Sequence, residues 1–526
     1  MKNNPVINIY QALEEEFDVV VVGSGAGGAT AAAVLSQAGL KTLILEEGHA
    51  SAEITSKDRF TLEGITQRYR NSGQSLALGL PLIAYVEGTG MGGSTEINSG
   101  LYHPIYKETA DKWNAEQGLS LSLAELEKLN NEVKQLLKVK KALKPSTASK
   151  ILIKSAKELG LTYQDVPRWV YRDIRGNLKR NTMSNTILPL AFTYSTKIVL
   201  NASVLRINHV DGSATSVTVL DKNNNKKYEI KTKTVFLAAG AVSSAKILKK
   251  SNRKIKLKNS ISLHVMLKIA ALYDKEVNMD DDLGSVQILE HSPTVTYGFA
   301  SSAPAVLGAA FSRTKIKLPE MIKRYPRTLI YYASLSGSSK GGLLGGKTLV
   351  YQLNKKDKER LRQAGNKLLE IIHQSKPIDT VVIGRDASPK TDLSSSLNSF
   401  KVKDLDLSAV HIMSSLPISN HPASEIDQYG AVKKIKGVIV VDASALPSSP
   451  GYNPQGSVMA LSLRNTRAYL KSKGVPHRDT LLTKKISQVG EKSKKVLFKK
   501  AKKVIKSKRF TSLVHTVKIV KRELHE

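Results

Sequence analysis

Residues 17–48 read FDVVVVGSGAGGATAAAVLSQAGLKTLILEEG. An apolar run from Val19 to Val22 stops at Gly23-Ser24-Gly25-Ala26-Gly27-Gly28. An alanine-rich segment follows, and a second apolar run, Thr42 to Leu45, ends at Glu46. Consecutive β-branched residues predict a buried strand and the alanines predict a helix. Strand, glycine turn, helix, strand and acid, with about 20 residues from turn to acid, form the unit that binds a dinucleotide. Gly23 is expected to make the turn. Gly25, with Ala26 beside it, lets the backbone approach a pyrophosphate, and Gly28 lets the helix pack closely on the strand. The free N–H groups at the helix start then hold the phosphates. Glu46 is expected to accept hydrogen bonds from the adenosine ribose.

This motif does not separate NAD from FAD. Its place within the first 25 residues points to a flavoprotein, and a second cluster points further that way. Residues 88–100 read GTGMGGSTEINSG. Glycine interiors are costly in helices and strands, so this is a loop, with a flexible linker as the plain alternative. Linkers are polar and repetitive. Here Met91, Ile97 and Asn98 interrupt the glycines, as expected of a loop packed on a flat ligand, with Gly90, Gly93, Ser94 and Asn98 as cofactor-binding candidates.

The chain has 526 residues, more than one typical core. A composition of 41 % hydrophobic and 24 % charged residues is that of a globular protein. With no cysteine, disulfides, thiolate catalysis, Fe–S clusters and cysteine-bound zinc are excluded. No metal site is expected. The sequence shows no secretory leader and no apolar run long enough to span a bilayer, so a cytoplasmic location is expected, with peripheral membrane contact through the tail. The net charge is +35. Between Lys484 and Arg522 fifteen Lys/Arg stand against one acid, Glu491, with apolar residues interleaved. The pattern predicts a basic amphipathic tail over 480–526 that lies on an anionic membrane surface, with a solvated tail as the alternative. Specific nucleic-acid binding is not expected, because aromatic residues that stack on bases are scarce there.

Between these landmarks, residues 108–165 read as helical and 197–240 as β, with a hairpin turn at Asp221–Asn225. Val235 to Ala238 runs into Ala239-Gly240-Ala241, a strand ending at residues small enough for a cofactor to approach. Residues 255–395 carry few motifs, and Gly337–Gly346 reads as a flexible polar stretch, a lid or surface loop. Residues 437–461, GVIVVDASALPSSPGYNPQGSVMAL, predict a strand ending at Asp442, a small-residue loop, and a helix entered through Asn453-Pro454-Gln455. Asn453 is expected at the helix N-cap. His411, in AVHIMSS, stands at the start of a small-residue turn and by itself reads as structural.

Together these segments resemble the glucose–methanol–choline (GMC) family of FAD-dependent oxidoreductases. FDVVVVGSGAGG is similar to the family's N-terminal FAD motif, and GTGMGGSTEINSG to its flavin-loop signature. VFLAAGAVSSAKIL is similar to its middle strand and turn, and VVDASALPSSPGYNPQGSVMAL to its C-terminal signature. HIMSS is similar to the segment carrying the active-site histidine of long-chain alcohol oxidases, and the Asn-Pro form is shared with cholesterol oxidases. SLHVMLKI, around His264, weakly resembles another segment of that group. Ser414, Leu416, Pro417 and Ile418 depart from the family's glycine-rich turn, which implies a different turn shape.

The resemblance implies an α/β fold. Its Rossmann-like FAD-binding domain is assembled from 15–105, 180–255 and 405–472. An α+β substrate domain with an antiparallel sheet, and a helical insertion, come from 106–179 and 256–404. It implies FAD contacts from Val204, Ala239, Gly240, Asp442, Asn453, Pro454 and Gln455 besides the glycine loops. It also implies hydride transfer from a hydrophobic alcohol to flavin, with His411 as base, Asn453 orienting the substrate oxygen, and oxygen or a quinone as electron acceptor. A further glutamate base has Glu290 and His291 as its nearest candidates. Alternatives on the same fold are a fatty-acid photodecarboxylase and a quinone-linked dehydrogenase; one of another class is a non-catalytic flavin protein acting at a membrane surface.

Overall fold

A computed structural model describes residues 4–50, 61–141, 145–278, 284–300, 302, 323–384 and 402–481. The basic tail lies outside the described residues.

Six parallel strands form the first sheet, in the spatial order Val6–Ile7, Lys197–Val199, Thr42–Leu45, Val19–Val22, Val235–Leu237, Val438–Val440. Every residue from Val19 to Val22 and from Thr42 to Leu45 is buried, as expected for a sheet covered on both faces. The helix Ala26–Gln37 packs against Gln455–Ser472 and Ile187–Thr193. Its alanines make that close packing possible. Three consecutive antiparallel strands, Ala202–Val210, Ser213–Asp221 and Lys226–Lys231, form a separate sheet. Their second connection is the predicted Asp221–Asn225 turn.

A nine-stranded sheet, the substrate-side sheet, gathers strands from distant parts of the chain. Its centre is Ser262–Leu272, which pairs antiparallel with Thr328–Ser336 on one side and with Leu407–Met413 and Asp379–Val382 on the other. The amphipathic helix Lys355–His373 packs on this sheet. A second hydrophobic core, distinct from the one around the parallel sheet, lies beneath it. The expected helices over 108–165 are Lys107–Gln117, Leu123–Leu136 and Thr147–Glu158.

Gly337–Gly346 is not a flexible loop. Gly341–Leu344 pairs with Thr348–Tyr351 as a hairpin. A side chain at Gly337 would collide with the Asp357 carboxylate, and one at Gly342 with the Asn259 amide. Asp357 is fully buried and binds the backbone and hydroxyl groups of Ser338 and Ser339. These glycines serve close packing, which a reading for flexibility mistakes.

Candidate active site

One continuous cavity of about 920 Å³ runs from the glycine turn after Val22 to the face of the nine-stranded sheet. Its volume lies at the upper end for small-molecule sites. Its first half is built by backbones that touch. Gly23 takes φ +96°, and any side chain there would strike the Ala238 carbonyl. A side chain at Gly28 would strike the carbonyl of Gly23, and one at Gly27 the carbonyl of Val441. Gly25 alone among these faces open space. It caps the helix Ala26–Gln37, which has no acid in its first turn. An open glycine at the positive end of a helix fits a pyrophosphate.

The second glycine loop docks on the first. Gly92 N–H donates to Ser24 Oγ (3.0 Å) and Gly90 N–H to Glu46 Oε1 (3.1 Å). A Cβ at Gly93 would lie 3.1 Å from Gly25 Cα. Glu46 also accepts from Ser24 N (3.0 Å), Ser24 Oγ (2.7 Å) and Gly48 N (3.0 Å). Its carboxylate thus ties the two loops together while lining the cavity. Burial pushes its pKa up, against the hydrogen bonds from Ser24 and Gly48. Asp442 is engaged in the same way, by Gly240 N (2.7 Å), Ser244 Oγ (2.5 Å) and Ser444 N (2.8 Å). Ser94 lines the cavity, and its hydroxyl accepts from Gly88 N (2.9 Å). Val204, Ala239, Gly240, Pro454 and Gln455 all line the cavity. Asn98 Nδ2 donates to Gln455 Oε1 (2.6 Å), and buried Arg180 donates to the Asn98 and Glu96 carbonyls, fixing the loop.

The far half brings together residues hundreds of positions apart. His411 belongs to the strand Leu407–Met413 rather than to a turn; the turn begins at Ser414, which takes φ +66°. Ser414 thus adopts, at some strain, the backbone conformation glycine supplies. Asn453 is not the helix cap: the helix starts at Gln455 after Pro454. Instead the Asn453 side chain lies between two partners, with Nδ2 3.3 Å from His411 Nε2 and Oδ1 accepting from Gln287 Nε2 (3.3 Å). Those contacts draw it off the helix end.

Donor and acceptor chemistry gives this chain a direction. His103 Nε2 lies 3.1 Å from Gln287 Oε1, which only accepts, so that nitrogen carries the proton. Gln287 Nε2 then donates to Asn453 Oδ1 and to the Tyr332 hydroxyl (3.0 Å). Asn453 Nδ2 in turn faces His411 Nε2 as donor, which leaves His411 Nε2 as an acceptor and its proton on Nδ1. That proton is shared with His264 Nδ1 (2.9 Å), whose Nε2–H reaches Ser449 Oγ (2.6 Å), itself 2.7 Å from Ser336 Oγ. Burial lowers the pKa of His411 to about 4, with His103 as a second, smaller cause. Burial lowers His103 to about 4 and His264 well below its ordinary value. All three rings are neutral near pH 7.

Glu290 and His291 do not line the cavity. Glu290 accepts from Thr162 N (2.9 Å) at the surface and His291 contacts the Tyr297 hydroxyl. Sequence reading missed His103, Gln287, Tyr332 and Lys268, all within this site or its hydrogen-bond network, and gave His264 only a weak resemblance. Trp169, also on the cavity wall, has a buried indole N–H without a partner. No cluster of side chains that could hold a metal ion occurs among the described residues.

A parallel sheet with paired glycine loops at one end, open onto a neutral histidine–amide pair, defines a dinucleotide-dependent oxidoreductase. Two family models described as GMC oxidoreductase match residues 17–265 and 347–462. The chain belongs to the GMC oxidoreductase family, whose members are FAD-dependent enzymes acting on CH–OH groups. It is 26 % identical over 493 residues to an uncharacterized GMC-type oxidoreductase of Sinorhizobium fredii, covering 88 % of this chain and 96 % of that protein. It is 23 % identical over 517 residues to the long-chain-alcohol oxidase FAO4A of Arabidopsis thaliana, covering 88 % and 68 %. The fold is shared with the crystal structure of pyridoxine 4-oxidase from Mesorbium loti, at a TM-score of 0.69 and 14 % identity, covering 87 % of this chain and 99 % of that one. Among the described residues no helix is long and apolar enough to cross a membrane.

Proposed function

We propose that this protein oxidises a hydrophobic alcohol at its CH–OH carbon, with His411 as the base. The observation that carries the reading is the acceptor state of His411 Nε2, held next to Asn453 at the wall of the cavity. Bound FAD supplies the acceptor for the hydride, and the open Gly25 at a helix start, the Gly90–Gly93 loop and the orphaned Trp169 N–H are features that fit it. Asn453, itself oriented by Gln287, positions the substrate hydroxyl. His411 takes its proton at Nε2, where the substrate hydroxyl replaces the Asn453 amide on the lone pair, while the Nδ1–H bond to His264 stabilises the charge that develops on the ring. With a pKa near 4 His411 is a weak base at rest, and is ready to accept a proton at every pH above that.

Residues 15–105, 180–255 and 405–472 form the cofactor-binding unit in this reading, and 106–179 and 256–404 the substrate side. Oxygen or a quinone reoxidises the cofactor, and the basic tail over 484–522 holds a cytoplasmic enzyme at an anionic membrane surface. Relatives named as long-chain-alcohol oxidases support the substrate class. The test is to mix the purified yellow protein with a panel of primary alcohols without oxygen. Bleaching of the flavin band by long-chain alcohols is expected; bleaching by none of them overturns the reading.

A further inference from the structure

The strand Ser262–Leu272 lays His264, Met266 and Lys268 along one face, each two residues from the next, and all three line the cavity. Across the sheet, in the same order, stand Ser336, Ser334 and Tyr332. His264 belongs to the histidine pair at the reacting end. Lys268 stands four residues further along, which on a strand is roughly 13 Å. Between them the wall carries buried Met266 and Val286 with Phe299, and the small hydroxyl residues Ser334 and Thr296. The cavity wall is therefore polar at His411, uncharged with Met266 and Val286 in its middle, and cationic at Lys268.

Among the described residues nothing balances that cation. Lys268 is half-buried, its main-chain carbonyl accepts from Ile383 N, and its ammonium has no hydrogen-bond or ion-pair partner there. Burial alone lowers its pKa, to about 8, with no charged neighbour contributing. Two further described lysines are lowered by burial but have partners: Lys340 donates to Ser262 Oγ (2.7 Å), and the charge of Glu87 offsets part of the lowering at Lys246. Among the described residues, the carboxylates on the cavity wall all sit at the cofactor end and all have partners. Glu46 and Asp442 bind the loops described above, while Glu47 and Glu87 pair with Arg70. A charge withdrawn from water without a counter-ion is costly, and a ligand that brings one recovers that cost on binding. A single ammonium offers one compact charge. This suits a carboxylate better than a phosphate dianion, which favours the fork of an arginine or several donors.

We propose that Lys268 is a specificity determinant that binds the carboxylate of an amphiphilic hydroxy acid, whose alcohol carbon lies at His411 and whose acid group lies at the other end of an apolar chain. The inference rests on the CH–OH reading above and narrows its substrate from a neutral fatty alcohol to an ω-hydroxy carboxylate.

The test compares ω-hydroxydodecanoate with its methyl ester on the FAD-loaded wild type, Lys268→Met and Lys268→Arg. The wild type is expected to favour the acid in kcat/KM by roughly tenfold or more, the scale of one charge-assisted hydrogen bond, and chiefly through KM. Lys268→Met should collapse the acid-to-ester ratio to near unity, and Lys268→Arg should keep most of it. A wild type indifferent to the carboxylate, or a ratio unchanged in Lys268→Met, overturns the proposal. A second arm titrates decanoate, which cannot be oxidised, against the bound flavin absorbance. Binding at least about tenfold weaker in Lys268→Met supports the carboxylate site, and equal binding in the two proteins overturns it. If neither hydroxy substrate reduces the flavin, the alcohol reading fails, and the decanoate arm still decides the role of Lys268.

Discussion

The two halves of the cavity are built on opposite principles. At the cofactor end the walls are backbone: Gly23, Gly27 and Gly28 each sit where any side chain would strike a carbonyl. Two polar side chains there, Glu46 and Asp442, hold loops together. At the substrate end the walls are side chains projecting from strand faces, and the polar ones form one directed hydrogen-bond chain from His103 to Ser336. A site made of backbone tolerates almost no substitution at its glycines. A site made of side chains can change its specificity one residue at a time while keeping its strands.

That contrast can be broken most severely at Gly28. Gly28→Val drives a branched side chain into the Gly23 carbonyl; overpacking of this kind costs about 1–3 kcal/mol or more. Purified protein is expected to lack bound flavin and to melt several degrees lower. A flavin-loaded variant with wild-type Tm would show that the turn yields more easily than its packing implies.

At the substrate end a comparable change should spare the cofactor. His264→Phe keeps a ring but leaves the His411 Nδ1–H without its acceptor, a loss of about 1–3 kcal/mol. Turnover should fall by roughly 10- to 100-fold, with the flavin spectrum retained. Gln287→Leu removes the donor that orients Asn453. Its expected cost is smaller, about 1 kcal/mol or roughly fivefold, appearing in kcat more than in KM. Loss of flavin in either variant would mean that the two halves are not separable.

The smallest effect lies in pH. His411 and His103 have folded pKa values depressed to about 4 from 6.5, so the unfolded chain binds protons that the folded one refuses. Stability is full above about pH 6.5 and falls as pH drops toward 4, by up to about 1.4 kcal/mol per unit per group. A Tm series should decline through that window, whereas kcat/KM, which needs only a neutral His411, should keep its acidic limb near pH 4. An activity limb near 6.5 would place His411 in contact with water.

The same contrast explains what the sequence discloses. Backbone demands leave a signature in residue type, so Gly23, Gly25, Gly28 and the 88–100 loop are legible together with the α/β fold. Side-chain demands leave little. Lys268 and Gln287 look like any residues on a half-buried strand, and nothing local tells that His264 meets His411 across 147 positions. Closeness to a helix start misplaced one residue: Asn453 is read as a cap yet turns to His411 and Gln287. Gly337–Gly346 shows the converse error, since glycine marks tight packing as often as freedom.

The central claim is that His411 accepts the substrate proton. It is tested most directly by the rate of flavin bleaching in single-turnover, oxygen-free mixing of a long-chain alcohol with wild type and His411→Ala. That rate is expected to fall by roughly 10²–10⁴ in the variant, with the resting flavin spectrum unchanged. Bleaching of the variant at the wild-type rate would contradict it.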